Sequence, residues 1–129
     1  PGSGQHHDMW HTLTRAVKQV VQRRSPEWPR VRREWLKINN TCAACGTKKA
    51  LEVHHIVPFS HDPSRELDPT NLITLCEYRK CHVRLGHCWD WRAANPHVVA
   101  DAATVLLRIA GRVYKSIADG EQQTHRVPT

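Results

Sequence analysis

Four of the five cysteines fall into two close pairs, and this pattern constrains the fold more than any other feature of the 129-residue chain. Two residues separate Cys42 from Cys45, and four separate Cys76 from Cys81. Two such pairs suit one tetrahedral zinc ion, which would be structural because four protein ligands leave no coordination position open. The alternative is a set of buried free cysteines. The fifth cysteine, Cys88, lies outside both pairs and is expected in the core.

The residues between the two cysteine pairs predict two short strands joined by a loop. Residues 50–57 form the first strand, which Pro58 ends, and residues 72–75 form the second. Residues 60–70 are polar and contain two prolines, as is typical of a loop. Because only a loop separates the strands, we expect them to pair antiparallel. The cysteine site would then clamp the segment before the first strand to the end of the second.

Amphipathic segments flank this hairpin on both sides. Residues 10–24 have apolar side chains at helical spacing, and the basic face of this helix either stays in solvent while the helix packs on the core or contacts phosphates. A second helix runs from about Pro29 to Ile38, with an apolar stripe of Val31, Trp35 and Ile38. A third is expected after Asn95 and Pro96, at 96–118. Its stripe comprises Val98, Ala102, Val105, Leu106, Ile109 and Val113, and could be buried internally or against a second copy.

A chain of this length is expected to form one domain, here residues 9–119. Its parts would be N-terminal helices at 10–38, a zinc and strand core at 41–92 and a C-terminal helix at 96–118. Residues 1–8 are expected to be disordered or to derive from cloning, and residues 120–129 to form a disordered tail. Trp89 and Trp91 are expected to anchor packing around the core.

The formal net charge of +7 favours a polyanionic partner, most often nucleic acid. The alternative is a soluble protein that happens to be basic. The sequence shows no signal peptide and no apolar segment long enough to span a bilayer, so the expected location is the cytoplasm and no membrane partner is expected. In that compartment, closely spaced cysteines favour zinc over disulfides.

Two adjacent histidines, His54 and His55, lie inside the first predicted strand. Side chains alternate along a strand, so these two should point to opposite faces. They are therefore poor candidates for equal ligands of one ion, whereas one could bind a metal while the other serves a second purpose nearby. His82 directly follows a cysteine, and His87 lies five residues further on. The alternative is that these histidines are further zinc ligands or surface residues.

These motifs, taken in order, resemble the HNH endonuclease family. The elements that carry the resemblance are Cys42-x-x-Cys45, Val53-His-His-Ile-Val-Pro58, Asn71-Leu-Ile-Thr-Leu-Cys76 and Cys81-His82. The resemblance covers roughly residues 25–92, and residues 25–32 are similar to phage and bacterial members. It implies an α+β fold of the ββα-metal type, in which an antiparallel hairpin and a helix surround one catalytic divalent ion. The structural zinc and the flanking N- and C-terminal helices complete the expected fold.

The resemblance also implies roles for individual residues. His55 would be the general base that activates water, and Asn71 would orient it by hydrogen bonding. His54 and His82 would bind the catalytic ion. Many family members have Asp at the position of His54, and a His there is similar to the colicin-type branch, which binds its metal with three histidines. His87 is then the third ligand, although it lies one residue beyond a helical i, i+4 pair with His82.

Elementary chemistry is consistent with these roles. A histidine pKa near 6.5 suits a base at neutral pH, and a divalent ion can stabilise charge on the phosphate and the leaving oxygen. Neutral imidazole ligands suit Mn²⁺, Ni²⁺, Co²⁺ or Zn²⁺ better than Mg²⁺, which prefers oxygen. Arg84, on the same short helical segment as His82, is a candidate for binding a phosphate oxygen of the substrate. The alternative is an exposed arginine without such a role.

The leading hypothesis is therefore a metal-dependent HNH DNA endonuclease that leaves 5′-phosphate and 3′-hydroxyl ends. It would nick or cut both strands, as a monomer or homodimer, with weak sequence specificity because no base-reading motif is evident. The alternative is a non-catalytic zinc module that binds nucleic acid, and a third option, a protein-interaction zinc domain, fits the charge less well. A binding module has no need for the combination of His54, His55, Asn71 and His82. The resemblance further suggests a targeting or phage packaging partner.

Overall fold

The computed structural model describes residues 23–124, with side chains through residue 120. Its main elements are helix α1 (Trp28–Ile38), strand β1 (Leu51–His55), strand β2 (Leu72–Cys76), a π-helical turn (His82–Gly86) and helix α2 (Val98–Thr124). Two short 3₁₀ turns, Pro63–Arg65 and Pro69–Asn71, lie between the strands. The α+β architecture with an antiparallel hairpin is thus confirmed. The helix predicted at 10–24 lies outside the described residues except for Arg23 and Arg24, which are not helical.

The hairpin pairs β1 with β2 in antiparallel register, with Leu51 opposite Cys76 and His55 opposite Leu72. Every residue of β2 is buried, as its run of apolar and β-branched side chains predicts. β1 is shorter than the predicted strand at 50–57. Its ladder ends because the backbone N–H of Val57 donates to the side-chain Oδ1 of Asn71 at 2.8 Å, instead of to the opposite strand.

The core lies between the hairpin, the cysteines and the start of α2. Its buried members are Cys42, Ala44, Ile73, Leu75, Cys76, Cys81, Val98 and Ala102. α1 covers the sheet through Trp35, whose indole N–H donates to Thr74 Oγ1 at 2.9 Å. Ile38 was wrongly assigned to the apolar stripe of this helix, since it is 83% exposed. It is the last helical residue, and the backbone N–H of Asn39 bonds back to the Trp35 carbonyl, so the chain turns away there.

α2 is longer than the predicted helix at 96–118, and its last residues, 121–124, fall in the segment predicted to be a disordered tail. Glu and Gln are good helix formers, so Gly120 does not end the helix. Asn95 accepts the backbone N–H of His97 at 2.9 Å and caps the start. Only the first half of the predicted stripe is covered by the described chain, and Leu106 and Val113 are exposed. None of the helices in this part of the chain has both the length and the apolar character needed to cross a bilayer.

Three predicted core residues lie at the surface instead. Cys88, Trp89 and Trp91 are all exposed, so the assignment of the cysteine to the core and of the tryptophans to packing anchors was wrong. They lie on the loop that follows the π-helical turn. Cys88 and Trp89 have positive φ angles of 51° and 67°, a conformation that costs a non-glycine residue energy. The Trp89 N–H donates to the Val83 carbonyl at 2.8 Å, which fixes the loop with these side chains outward.

Candidate metal and catalytic site

The two cysteine pairs converge on one point at the edge of the sheet. The Sγ atoms of Cys42, Cys45, Cys76 and Cys81, hereafter the cysteine cluster, lie within 4.8 Å of one another. Cys45 Sγ and Cys76 Sγ are 3.6 Å apart. Two sulfurs that each lie about 2.3 Å from a tetrahedral zinc would be roughly 3.8 Å apart. The cluster therefore has the composition and the size of a four-cysteine metal site.

Backbone groups hold the cysteine cluster in place. Gly46 adopts φ +73°, which only glycine adopts freely, and its N–H closes the turn onto the Cys42 carbonyl at 2.8 Å. Burial raises the pKa of the Cys45 and Cys81 thiols. At Cys76 burial also opposes ionisation, but the Arg79 N–H and the neighbouring thiols outweigh it and lower the pKa. All four sulfurs can ionise together only with a cation between them, which is the state that zinc binding requires.

A second cluster forms on the opposite side of Cys81. The imidazoles of His54, His82 and His87, hereafter the histidine cluster, offer nitrogens within 4.8 Å of one another. His82 Nε2 lies 3.2 Å from His54 Nδ1. Nitrogens bound at about 2.05 Å in a tetrahedral site would be roughly 3.3 Å apart. The spacing of these two nitrogens is therefore that of two ligands of one ion.

The π-helical turn explains how two histidines five residues apart face the same point. A π-helix forms i→i+5 hydrogen bonds, so residues five apart lie one above the other, and such turns are frequent at functional sites. His82 opens this turn and His87 follows its last residue, Gly86. A Cβ on Gly86 would lie 2.9 Å from Cε1 of His54. The wider turn thus accommodates the extra residue between His82 and His87, and the absence of a side chain at Gly86 makes room for the His54 ring.

Each histidine of the cluster has a nitrogen free for an ion. His82 Nδ1 bonds to the Glu77 carboxylate at 2.5 Å, and His87 Nδ1 donates to the Ala93 carbonyl at 2.9 Å, so the Nε2 of each ring keeps its lone pair. Burial, together with the charges of His82, His87 and His55, lowers the pKa of His54 to about 3, so its ring is neutral. Its Nδ1 faces His82 Nε2 and is the nitrogen left for an ion, while its Nε2 is buried without a hydrogen-bond partner among the described residues. This donor set fits a divalent ion.

His55 makes different contacts from its neighbour His54, although both side chains line the same cavity. Its Nε2 lies 2.9 Å from the backbone carbonyl of Glu66, which can only accept, so this nitrogen carries the proton. The other nitrogen, Nδ1, is then free to accept one. Burial lowers the pKa of His55, and the Glu66 carbonyl offsets part of that effect. The Trp28 ring, whose centroid is 4.5 Å away, covers the imidazole.

Asn71 is fully buried and links β1 to the loop that holds His55. Its Nδ2 donates to the carbonyls of Val57 at 3.0 Å and Arg65 at 3.2 Å, while its Oδ1 accepts the Val57 N–H. Arg65 directly precedes Glu66, whose carbonyl positions the His55 ring. Asn71 thereby fixes the loop that orients His55, without contacting the imidazole in the described hydrogen bonds.

The histidines and one arginine open into a shared cavity of about 230 Å³. Its lining residues are Arg24, Val53, His54, His55, Pro58, Phe59, His82 and His87. Arg84, the predicted phosphate ligand, does not line this cavity but a different groove. Arg24 lies here instead, with its guanidinium 4.7 Å from the Phe59 ring centroid and 3.4 Å from the buried Glu66 carboxylate.

Sequence reasoning missed several residues that shape this site. Arg24 was placed at the end of a helix, and Glu66 and Glu77 were given no role, because their partners are distant in sequence or lie in irregular segments. Trp91 was placed in the core, but its ring centroid lies 4.7 Å from that of His87 and 5.3 Å from that of His82. The Ser25 backbone N–H donates to the Glu66 carboxylate at 2.8 Å, which ties the segment carrying Arg24 to the site.

Residues 42–87 match the family model of the HNH endonuclease. No curated protein and no solved structure matches the chain. The matched segment begins at the first residue of the cysteine cluster and ends at the last residue of the histidine cluster, and it contains β1, β2 and the π-helical turn. This segment is therefore similar to the HNH endonuclease family. The similarity implies a nuclease-type activity, and HNH nucleases act on DNA.

Proposed function

We propose that this protein is a metal-dependent endonuclease that hydrolyses phosphodiester bonds in DNA. One observation carries the proposal: His55, with a nitrogen free to take a proton, and the histidine cluster line the same cavity of about 230 Å³. Phosphodiester hydrolysis needs a base for the attacking water and positive charge near the phosphate, and here both would act on one substrate group. A nucleic-acid-binding module needs neither.

In this proposal His55 is the general base. Its Nδ1 accepts the proton of the water that attacks phosphorus, while Nε2–H stays bonded to the Glu66 carbonyl. The bond to a carbonyl selects the tautomer and holds the ring plane, so the base is ready before substrate arrives. Asn71 is a positioning residue that acts through the loop at Arg65 and Glu66. The bond between phosphorus and the 3′ oxygen breaks and that oxygen takes up a proton from solvent, which leaves 5′-phosphate and 3′-hydroxyl ends.

His54, His82 and His87 would hold the catalytic ion. A divalent ion bound there supplies positive charge to the phosphate and to the leaving 3′ oxygen. Three neutral ligands do not reduce that charge, and imidazoles suit Mn²⁺, Ni²⁺, Co²⁺ or Zn²⁺ better than Mg²⁺. Arg24, half-exposed at the same cavity, is the residue that we propose binds a phosphate oxygen there. The cysteine cluster would hold a structural zinc.

The wider organisation follows from the same proposal. Residues 9–119 would act as one domain, with the helices around the matched segment supporting the site. The absence of an evident base-reading motif supports weak sequence specificity, with nicking by a monomer or double-strand cleavage by a homodimer. A targeting or packaging partner would supply any further specificity.

Plasmid cleavage by the wild type and the variants His55→Ala and His97→Ala tests the proposal. Each protein is freed of exchangeable metal with EDTA and then assayed with Mn²⁺, Ni²⁺, Co²⁺, Zn²⁺ and Mg²⁺. His97 is an exposed histidine outside the cavity, so its variant is a matched control. We expect His55→Ala to lose at least about 100-fold in cleavage rate, the contribution typical of a general base. His97→Ala should cleave like the wild type.

Equal cleavage by His55→Ala and the wild type would remove His55 from the role of base. Loss of cleavage in His97→Ala as well would point to general damage by histidine removal. If no metal supports cleavage while the wild type still binds DNA, the zinc-containing binding module is the better description of the protein.

A further inference from the structure

A second groove, of about 450 Å³, lies between the cysteine cluster and α2, on the other side of the π-helical turn from the histidine cavity. Four of its lining residues are arginines: Arg79, Arg84, Arg108 and Arg112. We call it the arginine groove. The other lining residues are Cys45, Cys81, Leu85, Val105 and Ile109, so within residues 23–120 no carboxylate lines the groove.

The four guanidinium groups come from three different elements. Arg79 follows β2, Arg84 lies on the π-helical turn, and Arg108 and Arg112 lie one turn apart on α2. Among the described residues none of the four forms a salt bridge, whereas Arg24, Arg30, Arg32 and Arg65 all do. Like charges four residues apart on a helix destabilise it. An anion bound in the groove would offset the repulsion between these four cations.

The floor of the groove strengthens its preference for a phosphate. Leu85, Val105 and Ile109 are half-buried and apolar, so the guanidinium groups around them face a surface of low polarity. Charges interact more strongly there than in bulk water. Guanidinium is planar and offers parallel N–H donors that match two oxygens of one phosphate. Several arginines spread along a groove suit a row of phosphates better than a single small anion.

We propose that the arginine groove binds the phosphate backbone of the DNA substrate away from the bond that is cleaved, an inference that rests on the proposed function. Arg84 and His82 belong to the same π-helical turn, so residues of one turn line both the groove and the histidine cavity. A helical turn is about 10–12 Å wide with its side chains. That width corresponds to roughly three nucleotides at 3.4 Å each. One DNA molecule can therefore reach both surfaces.

The assignment also gives Arg84 a phosphate partner other than the scissile one. The scissile phosphate would lie near Arg24 and the histidines, while Arg84 would contact a flanking phosphate. An acidic protein segment is the other occupant with suitable charge. DNA is favoured because the same chain has a nuclease-type domain and a net charge of +7.

Equilibrium binding of a fluorescent DNA duplex across a series of KCl concentrations tests the proposal. The full chain carries His55→Ala to prevent cleavage and is combined with Arg108→Gln/Arg112→Gln or with Arg79→Gln/Arg84→Gln. The matched control is Arg30→Gln/Lys115→Gln, which removes the same charge from two exposed residues already paired with Glu27, Glu34 and Asp119. We expect each double variant in the arginine groove to make the negative slope of log K against log salt shallower by about 2, one per lost phosphate contact. The control should change it by less than about half of that.

Folding is monitored through thermal melting by circular dichroism. A further variant, Arg108→Lys/Arg112→Lys, keeps the charge and should restore most of the slope. A purely structural role of the two arginines would not predict this recovery. If the groove pairs fold and bind DNA with the slope of the control, the proposal is overturned. This holds even if the wild type cleaves plasmid, so its failure is separate from that of the nuclease assignment. Conversely, reduced slopes in a protein that never cleaves would support the groove and refute the nuclease.

Discussion

The cysteine cluster and the histidine cluster lie on either side of the Cys81–His82 peptide and differ in almost every physical respect. The first brings four sulfurs into the core, where Cys42, Cys76 and Cys81 are buried. The second brings three nitrogens to the wall of an open cavity. Four thiolates close a tetrahedral site, whereas three imidazoles leave a position for substrate. The comparison teaches that ligand number and exposure separate a site that would hold the fold from one that would do chemistry.

The two clusters are also supported differently. Sulfurs are held by main-chain N–H groups, such as that of Arg79 at 3.4 Å from Cys76 Sγ. In the histidine cluster, His82 is oriented by the Glu77 carboxylate and His87 by the Ala93 main-chain carbonyl. Only the carboxylate is a side-chain acceptor that one substitution can remove. Substitutions should therefore affect folding at the cysteines and metal binding at the histidines.

The largest effect is expected from Cys76→Ser. Structural zinc contributes about 10–16 kcal/mol to the folding of small zinc domains, which equals or exceeds the total stability of a typical domain. The variant should therefore lose its cooperative thermal transition, measured by circular dichroism. Cys88→Ser is the control, since Cys88 is exposed and outside the cluster, and it should melt like the wild type. A Cys76→Ser protein with the wild-type melting temperature would show that the cysteine cluster does not stabilise the fold.

His87→Ala should have the opposite effect to Cys76→Ser: it should impair cleavage and leave the fold largely intact. Loss of one of three ligands should lower metal-dependent cleavage by more than about 100-fold, because even outer-shell partners of metal ligands are worth 10–100-fold. Since His87 is only half-buried, the melting temperature without added metal should fall by a few degrees at most. The exposed His61→Ala serves as the control for both measurements. Full cleavage by His87→Ala would reduce the histidine cluster to two ligands.

Gly86→Ala tests whether the absent side chain makes room for His54. A new Cβ would come within 2.9–3.1 Å of three atoms of the His54 ring, so the ring or the turn must shift. We expect a loss of about 1–3 kcal/mol in the free energy of urea unfolding and about 10-fold or more in divalent metal affinity by calorimetry. Gly111→Ala is the control, because nothing lies within 4 Å of its Cβ position on an exposed helix. That variant should be neutral or more stable by up to about 1 kcal/mol.

The smallest of the four effects is expected from Glu77→Gln. The carboxylate orients His82 through Nδ1, and loss of such a partner costs about 10-fold in metal affinity at the low end of the usual range. The amide can still accept the N–H bond, so the fold should be unaffected. Calorimetric titration with Mn²⁺ or Ni²⁺ measures the change, and Glu34→Gln, an exposed carboxylate on α1, provides the comparison. Unchanged metal affinity would show that the Glu77 carboxylate does not contribute to metal binding by His82.

Those elements of the fold that depend on local pattern could be predicted from the sequence. The antiparallel hairpin followed from two apolar runs with a polar loop between them, and the cysteine cluster from paired spacing. Strand alternation predicted opposite faces for His54 and His55, but both side chains line one cavity. The π-helical turn could not be predicted, since no residue pattern distinguishes it from an α-helical turn with one residue too many. The His54 ring packs against Gly86 within this turn, a contact between distant residues that the sequence pattern does not reveal.

Contacts between distant or irregular segments could not be predicted either. Arg24 and Glu66 are 42 residues apart, and each has ordinary alternatives at the surface. Trp89 and Trp91 were expected inside because large aromatic residues are mostly buried. A small hairpin domain has too little interior for all of them, so they lie on the loop beside the histidines. Arg84 was expected beside the substrate phosphate because it is close to His82 in sequence, but it lines the other groove. Spacing alone does not define which side of a short turn a residue occupies.

Direct adjacency of Cys81 and His82 has a consequence for the order in which the protein would be loaded with metal. Occupancy of the cysteine cluster fixes the peptide that carries His82, with no intervening residue to absorb disorder. The two binding events are then thermodynamically linked, and each raises the affinity for the other by the same factor. A thiolate site binds far more tightly than three imidazoles, so it fills first at any metal concentration. Maturation would thus be sequential, and metal scarcity would remove activity long before it removes the fold.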